Sequence, residues 1–364
     1  MDIQAICREF LPDGVIHSVN RYGCGHINET YVFSCQTADA QNTRYILQKI
    51  NTAVFRDPIG LMENICRVTS FLRTKIAARG GDPNRETLTV LPTRAGAAFF
   101  RAPDNSCWRV YPFIENTVSY QSVEQPQLFE TAARAFGQFQ CDLADFPAAE
   151  LHETIPHFHD TPSRYRDLIF AADSDPAGRR AAVAPELAFA RARAADCAVI
   201  TDAINAKRVP LRVTHNDTKL NNILMDARTN AAVCIIDLDT IMPGSALYDF
   251  GDSIRFGASS AAEDEPDLSR VYMKAELFEA YVRGFLAGTA GRLTETEIRL
   301  LPMSAKLMTL ECGMRFLTDY LNGDTYFHTT YPGQNLDRAR TQFKLVADME
   351  AQMDRMAEIV RRYS

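Results

Sequence analysis

The chain has 364 residues, 46% hydrophobic and 23% charged, enough to bury a substantial core and ordinary for a soluble protein. With 39 Lys and Arg against 46 Asp and Glu the net charge is −7, which argues against a nucleic-acid partner. No apolar run reaches the length of a membrane span, and the N-terminal MDIQAICREF lacks a signal-peptide core. Nine cysteines without any C-x-x-C pair imply reduced thiols, so a cytoplasmic protein with no membrane partner is expected.

Residues 1–114 read as a β-rich unit. Alternating runs predict strands over 16–22, 30–36, 44–50, 88–91, 97–101 and 108–113. One helix interrupts them: Pro58 suits its first turn, and Leu61, Ile65, Val68 and Leu72 recur at helical spacing. Between the first two strands lie Gly23 and Gly25, either a plain hairpin turn or a loop whose backbone closes on phosphates. A dinucleotide-binding reading fails there, since no helix follows and Asn28 takes the third glycine position. Lys49 ends the third strand, as a solvated lysine or one that touches nucleotide phosphates. Its usual carboxylate partner would be Glu63, yet the helical wheel sets Glu63 roughly opposite the apolar stripe, where a surface acid also belongs. The run from Arg109 through Tyr111 and Phe113 to Ile114 reads both as an edge strand and as a hinge that can hydrogen-bond an adenine.

Beyond residue 125 the pattern turns helical, over 129–143, 185–206, 246–256, 273–287, 295–320 and 336–362. One segment departs from it. VTHNDTKLNNILMDARTNAAVCIIDLD places His215, Asp217 and Asn222 in the order H-x-D-x-x-x-x-N, followed by a β-branched run that ends in Asp237 and Asp239. Taken singly these are ordinary polar turns; the ordered set predicts the parts of a kinase, with a base near the acceptor hydroxyl and oxygen ligands that hold Mg2+ against ATP phosphates. The fold expected is α+β and bilobal: a small β-rich N-terminal lobe with one main helix over 1–114, and a larger, mostly helical C-terminal lobe over 115–364.

The strings GHINET, YILQKIN, RVYPFIENT, THNDTKLNNIL, CIIDLDTIMPGSALYDFGDSIR, GMRFLTDYLNGDTYF and RTQFKLVADME span almost the whole chain. Together they resemble the aminoglycoside-phosphotransferase-like kinases, and within them the N-acetylhexosamine 1-kinases. The resemblance implies transfer of phosphate from ATP, with Mg2+, to the anomeric hydroxyl of N-acetylglucosamine or N-acetylgalactosamine. By motif position it implies Asp217 as base and substrate contact, Asn222 and Asp237 as metal ligands, and Asp239 as an auxiliary ligand. It also implies sugar contacts at Arg315 and Tyr326. On residue pattern alone, Arg315 either pairs within its helix with Glu311 or Asp319, each four residues away, or turns into a cleft. Asp249, at the start of a helix after Ser245, reads as a brace for the catalytic loop.

Other readings have distinct signatures. A kinase of an aminoglycoside, choline or homoserine would present acids to a cationic acceptor, where this chain offers Arg315. A protein kinase is disfavoured because Asn216 stands where its arginine belongs and no A-P-E follows. A nucleotide-binding scaffold has no need of Asp217. A carboxylate-pair hydrolase using Asp217 and Asp237 leaves Lys49 and the glycine loop unexplained.

Overall fold

A five-stranded antiparallel sheet organises the N-terminal part of the chain, in the order β1 (Val15–Arg21), β2 (Glu29–Gln36), β3 (Asn42–Ile50), β5 (Cys107–Pro112), β4 (Phe100–Arg101). This computed structural model describes residues 2–11, 13–23, 27–36, 42–123 and 125–364. Strand alternation gives the sheet two different faces. Phe33, Cys35, Tyr45, Leu47, Trp108 and Val110 pack against Ile6, Cys7 and Phe10 of a helix, α1 (Ile3–Phe10), that sequence periodicity over eight residues does not single out. Arg109 turns to the opposite face, where its Nη1 lies 3.9 Å from Met62 Sδ of α2 (Pro58–Ala78). Helix α2 starts as the sequence predicts, with Pro58 in its first turn and Asp57 accepting from the Ile59 and Gly60 amides at 3.1 and 3.0 Å.

The expected strands appear except at 88–91, and 97–101 shortens to Phe100–Arg101. Leu91 makes a single bridge to Val110, and 88–91 forms no strand of its own. Nor does one cut at residue 114 divide the chain. Met1–Val118, Glu150–Pro156 and Ile223–Met242 form one compact unit, and Ser119–Ala149, His157–Asn222 and Pro243–Ser364 form another. The hairpin Ile223–Asp226/Ala232–Ile235 joins the first unit because Ile223–Asp226 pairs with Thr117–Val118. A later segment therefore returns Asp237 and Asp239 to the β-rich unit.

The second unit is helical. The helices Ala246–Gly257, Ala275–Thr289 and Glu295–Leu321 match expectation within two residues at each end, whereas two predicted long helices are each broken. Ala184–Arg191 and Val199–Asn205 are separate, and Gln352 divides Gln334–Ala351 from Met353–Tyr363. The helix Thr161–Ser174, with Asp160 capping it through the Ser163 amide at 3.0 Å, is additional. No helix among the described residues is long and apolar enough to cross a membrane.

Helices Pro126–Asp142 and Ala275–Thr289 approach closely through glycine. A methyl group on Gly137 would stand 2.4 Å from Phe285 O and 2.9 Å from the Thr289 amide. Backbone cannot yield as a side-chain end does, so Gly137→Ala should cost about 1–3 kcal/mol from overpacking, despite the better helix propensity of alanine. Urea denaturation checks this, and a neutral or stabilising outcome would show that the helix pair can shift to admit a methyl group.

Candidate active site

The loop of the second unit that carries His215 and Asp217 is held from beneath. Asn216 adopts a left-handed conformation, φ 65°, which an asparagine tolerates better than most residues. Asp249, buried in the first turn of Ala246–Gly257, accepts from the His215 amide at 3.0 Å and the Asn216 amide at 2.8 Å. Gln140 Nε2 donates to the same carboxylate at 2.8 Å and to Val213 O at 3.0 Å. Burial pushes the Asp249 carboxyl upward, although all three donors favour its charged form. The brace read from sequence is therefore built of named hydrogen bonds.

Asp217 is only partly buried. Its Oδ2 accepts from Asn222 Nδ2 at 2.9 Å, and its Oδ1 lies 2.7 Å from Lys219 Nζ. Burial raises the Asp217 carboxyl, but Lys219, His215 and the Asn222 bond outweigh it and hold the group below its usual range. Lys219 is raised in turn, chiefly by the charge of Asp217. Lys219 was not singled out by sequence reasoning, though a lysine two residues after the motif aspartate was there to be noticed. Asn222 Nδ2 also donates to Asp217 O at 2.8 Å, which leaves its Oδ1 without a partner among the described residues.

In the first unit Asp237 and Asp239 have different fates. Asp237 is exposed in a left-handed turn, φ 60°. Asp239 is buried: Arg109 Nη1 lies 2.5 Å from its Oδ1 as an ion contact, and Asn28 Nδ2 donates to its Oδ2 at 2.5 Å. Arg109 further donates from Nε and Nη2 to Gln48 Oε1, at 3.0 and 2.8 Å. Both oxygens of Asp239 are thus engaged, and through them the residue anchors the turn that carries Asp237. Asn64, on the buried side of α2, donates to Ile241 O at 2.9 Å and fixes the same turn further on. Arg109, Asn28 and Asn64 were all missed. An arginine in the apolar run CWRVYPFI was the available signal, since a charge in a buried strand requires a partner.

One further expectation, the Lys49–Glu63 pair, is corrected by strand alternation and helix phase. Lys49 shares the face of Trp108, over whose ring it lies at 5.9 Å, and it pairs with Glu29 at 3.4 Å. Gln48, not Lys49, turns toward Arg109 and Asp239. Glu63 projects from the exposed side of α2 and meets His152 Nε2 at 2.8 Å, so the Lys49–Glu63 pair is not formed. In the hinge, Tyr111 is buried beneath Arg109, and the Phe113 amide donates to Arg44 O at 3.0 Å. That bond extends the strand ladder past Pro112. Gly23, with φ 77°, needs the conformational freedom of glycine, while Gly25 lies outside the described residues.

On the acceptor side of the motif, neither intra-helix pair of Arg315 exists. Glu311 is taken by His159 Nδ1 at 2.7 Å and Thr161 Oγ1 at 2.5 Å. Asp319 accepts the amides of Thr325, Tyr326 and Phe327 at 2.8–2.9 Å and so folds the loop after the helix. Arg315 instead lies over the rings of Phe158 and Phe327, at 5.1 and 5.6 Å, with no ion pair among the described residues. Tyr326, largely exposed, meets Phe327 edge-on at 4.8 Å, so the two predicted acceptor residues flank one ring. Arg164 stands near them, its guanidinium lowered by burial and by the charge of Arg315.

Solved structures of small-molecule kinases share this fold. A microcompartment-associated aminopropanol kinase is 17% identical, with TM-score 0.63, over 98% of this chain and 99% of that one. An aminoglycoside phosphotransferase from Alicyclobacillus acidocaldarius is 15% identical, with TM-score 0.62, over 100% and 97%. A choline kinase from Cryptosporidium parvum is 13% identical, with TM-score 0.59, over 99% and 98%. Residues 26–292 match the APH phosphotransferase enzyme family, a stretch that contains the H-x-D-x-x-x-x-N loop and the Asp237 turn. The chain belongs to that family.

Proposed function

We propose that this protein transfers the γ-phosphoryl group of ATP to the anomeric hydroxyl of N-acetylglucosamine or N-acetylgalactosamine, giving the sugar 1-phosphate. Asp217 supports the transfer. Its charged, partly exposed carboxylate is oriented by Asn222 and Lys219, as a base for a hydroxyl proton must be. The acceptor oxygen forms its bond to phosphorus as the bond to the β-phosphate oxygen breaks, ADP leaves, and the hydroxyl proton passes to Asp217. Lys219 is the cation that stands beside this base.

A divalent ion suits the donors that the motif assigns. Asn222 Oδ1 is without a partner among the described residues and Asp237 is exposed, each within its own unit. Among the described residues no three His, Cys, Asp or Glu side chains gather at one point. Few carboxylates, with phosphate and water completing the shell, is the regime of Mg2+. When bound, it supplies neutralisation of phosphate charge.

Arg315 is the observation that favours a neutral sugar over a cationic acceptor. A half-buried guanidinium between two phenylalanines, with Arg164 near it, repels an ammonium group and donates well to hydroxyl or acetamide oxygens. The test is phosphorus NMR of the product from Mg-ATP with each free sugar, and with the methyl glycosides as controls. Free sugars should give 1-phosphates and the glycosides should be inert, because their anomeric oxygen carries no proton. Arg315→Ala should raise the sugar KM about tenfold or more while leaving the ATP KM nearly unchanged, as expected for a lost charged hydrogen bond. Phosphate at another position, or transfer to a methyl glycoside, would return the protein to the broader class of hydroxyl kinases.

A further inference from the structure

Thr218 stands between Asp217 and Lys219, 2% exposed, and the helix Ala246–Gly257 holds it twice. Its Oγ1 donates to Asp249 O at 2.6 Å, and its carbonyl accepts from Ser253 Oγ at 2.8 Å. A serine inside a helix commonly bonds the carbonyl four residues back, which here is Asp249 O. Ser253 reaches across to Thr218 instead, and Thr218 takes Asp249 O, so loop and helix clasp each other. The single hydroxyl hydrogen of Ser253 points to Thr218, hence its oxygen accepts from Tyr281 Oη at 2.6 Å. The direction of the chain is thereby fixed, from Tyr281 to Ser253 to Thr218. Tyr281, on Ala275–Thr289, is caged by the rings of Phe129, Phe250 and Phe285, with centroids 4.6, 5.4 and 6.0 Å away. Ser253 and Tyr281 are each 1% exposed, so water does not replace a lost partner there.

We propose that Ser253 and Tyr281 are positioning residues for the transfer: through the Thr218 carbonyl they fix the peptide plane that leads into Lys219, and so keep its ammonium at the Asp217 carboxylate. Thr218 O and Lys219 N belong to one rigid amide, so a donor on that oxygen sets the direction in which the Lys219 side chain leaves the backbone. The pair it serves is close, with Lys219 Nζ 2.7 Å from Asp217 Oδ1, but both side chains are only partly buried. Partly exposed ion pairs hold weakly by themselves, because ordering a long side chain costs entropy. A buried chain of hydrogen bonds behind the backbone supplies that order, and each bond polarises the next.

The inference rests on the kinase reading for its kinetic arm and not for its labelling arm. Ser253→Ala leaves the Thr218 carbonyl buried without its donor. Its kcat should fall roughly tenfold, the scale of a slightly misplaced catalytic group, with both KM values within about twofold of wild type. Tyr281→Phe keeps the ring in its cage and removes one hydrogen bond, so kcat should fall about threefold. The double variant should match Ser253→Ala, because Tyr281 acts only through Ser253. Independently of turnover, competitive acetylation of the full chain, read by peptide mass spectrometry, should show Lys219 reacting about fivefold faster in Ser253→Ala, the scale of one lost, partly exposed ion pair. Lys306, paired with Asp196 and Glu350 in the same unit, should keep its wild-type rate, which separates a turned Lys219 from general loosening. If Lys306 also speeds up in Ser253→Ala, the milder Tyr281→Phe decides by the same two rates. A Lys219 rate equal to wild type in the folded variants, or a double variant whose kcat loss is the product of the single losses, would overturn the proposal. Were no acceptor sugar ever phosphorylated, the acceptor reading would fall, while the Lys219 rate would still decide whether this chain positions the ammonium.

Discussion

Asp217→Asn should lower kcat at least about a hundredfold, the lower range for a lost general base, and change nucleotide affinity little. The substitution keeps the shape of the side chain and one oxygen for Asn222 Nδ2. It also removes the charge that holds Lys219 at 2.7 Å and the lone pair that takes the proton. Kinetics in the folded variant, beside calorimetric titration with Mg-ATP, separates the two effects. Near-normal turnover would remove Asp217 from the role of base. The pH dependence of the wild type follows from the same geometry. Lys219 and its neighbours hold the Asp217 carboxyl below the usual carboxylate range against the upward push of burial, so the active, ionised form persists as pH falls until that lowered value is reached. Lys219→Met should move the acid limb of kcat/KM to higher pH, because a carboxylate without its ammonium partner takes up its proton earlier.

Much of this was legible because local chemistry carried it. Period-two runs gave the sheet, Pro58 gave the start of α2, and the H-x-D-x-x-x-x-N spacing placed Asp217 beside Asn222 across five positions of one loop. The family resemblance pointed to Arg315 and Tyr326, and folding brings both to Phe327. What stayed hidden depends on partners far along the chain. Asn28 meets Asp239 across 211 positions, and nothing in either local sequence foretells it. Strand phase also hides partners: one residue along a strand reverses the face, so Gln48 turns toward Arg109 and Asp239 while Lys49 lies beside Trp108 and Glu29. The broken helices have a similar cause: Gln352 carries no proline or glycine signal, and the change of direction there follows from packing and not from the residue itself.

Arg109→Met should be the most destabilising change in the first unit. The arginine and Asp239 are 1% and 3% exposed at their side chains, and Gln48 Oε1 takes two further guanidinium hydrogens. Methionine fills much the same volume against Met62 but leaves the Asp239 carboxylate buried, with only Asn28 to satisfy it. Removing one partner of a buried pair typically costs about 3–5 kcal/mol, mostly through the charge left behind. The double variant Arg109→Met, Asp239→Asn should therefore be more stable than Arg109→Met alone, since it removes the orphaned charge as well. An exposed helical pair gives the contrast. Glu358 and Arg362, 67% and 53% exposed and 3.9 Å apart, should yield less than about 0.5 kcal/mol on Glu358→Gln. Urea denaturation of the four proteins decides the matter. Equal losses in Arg109→Met and the double variant would show that the arginine stabilises by packing its stem, and that Asp239 draws its stability from Asn28 and water instead.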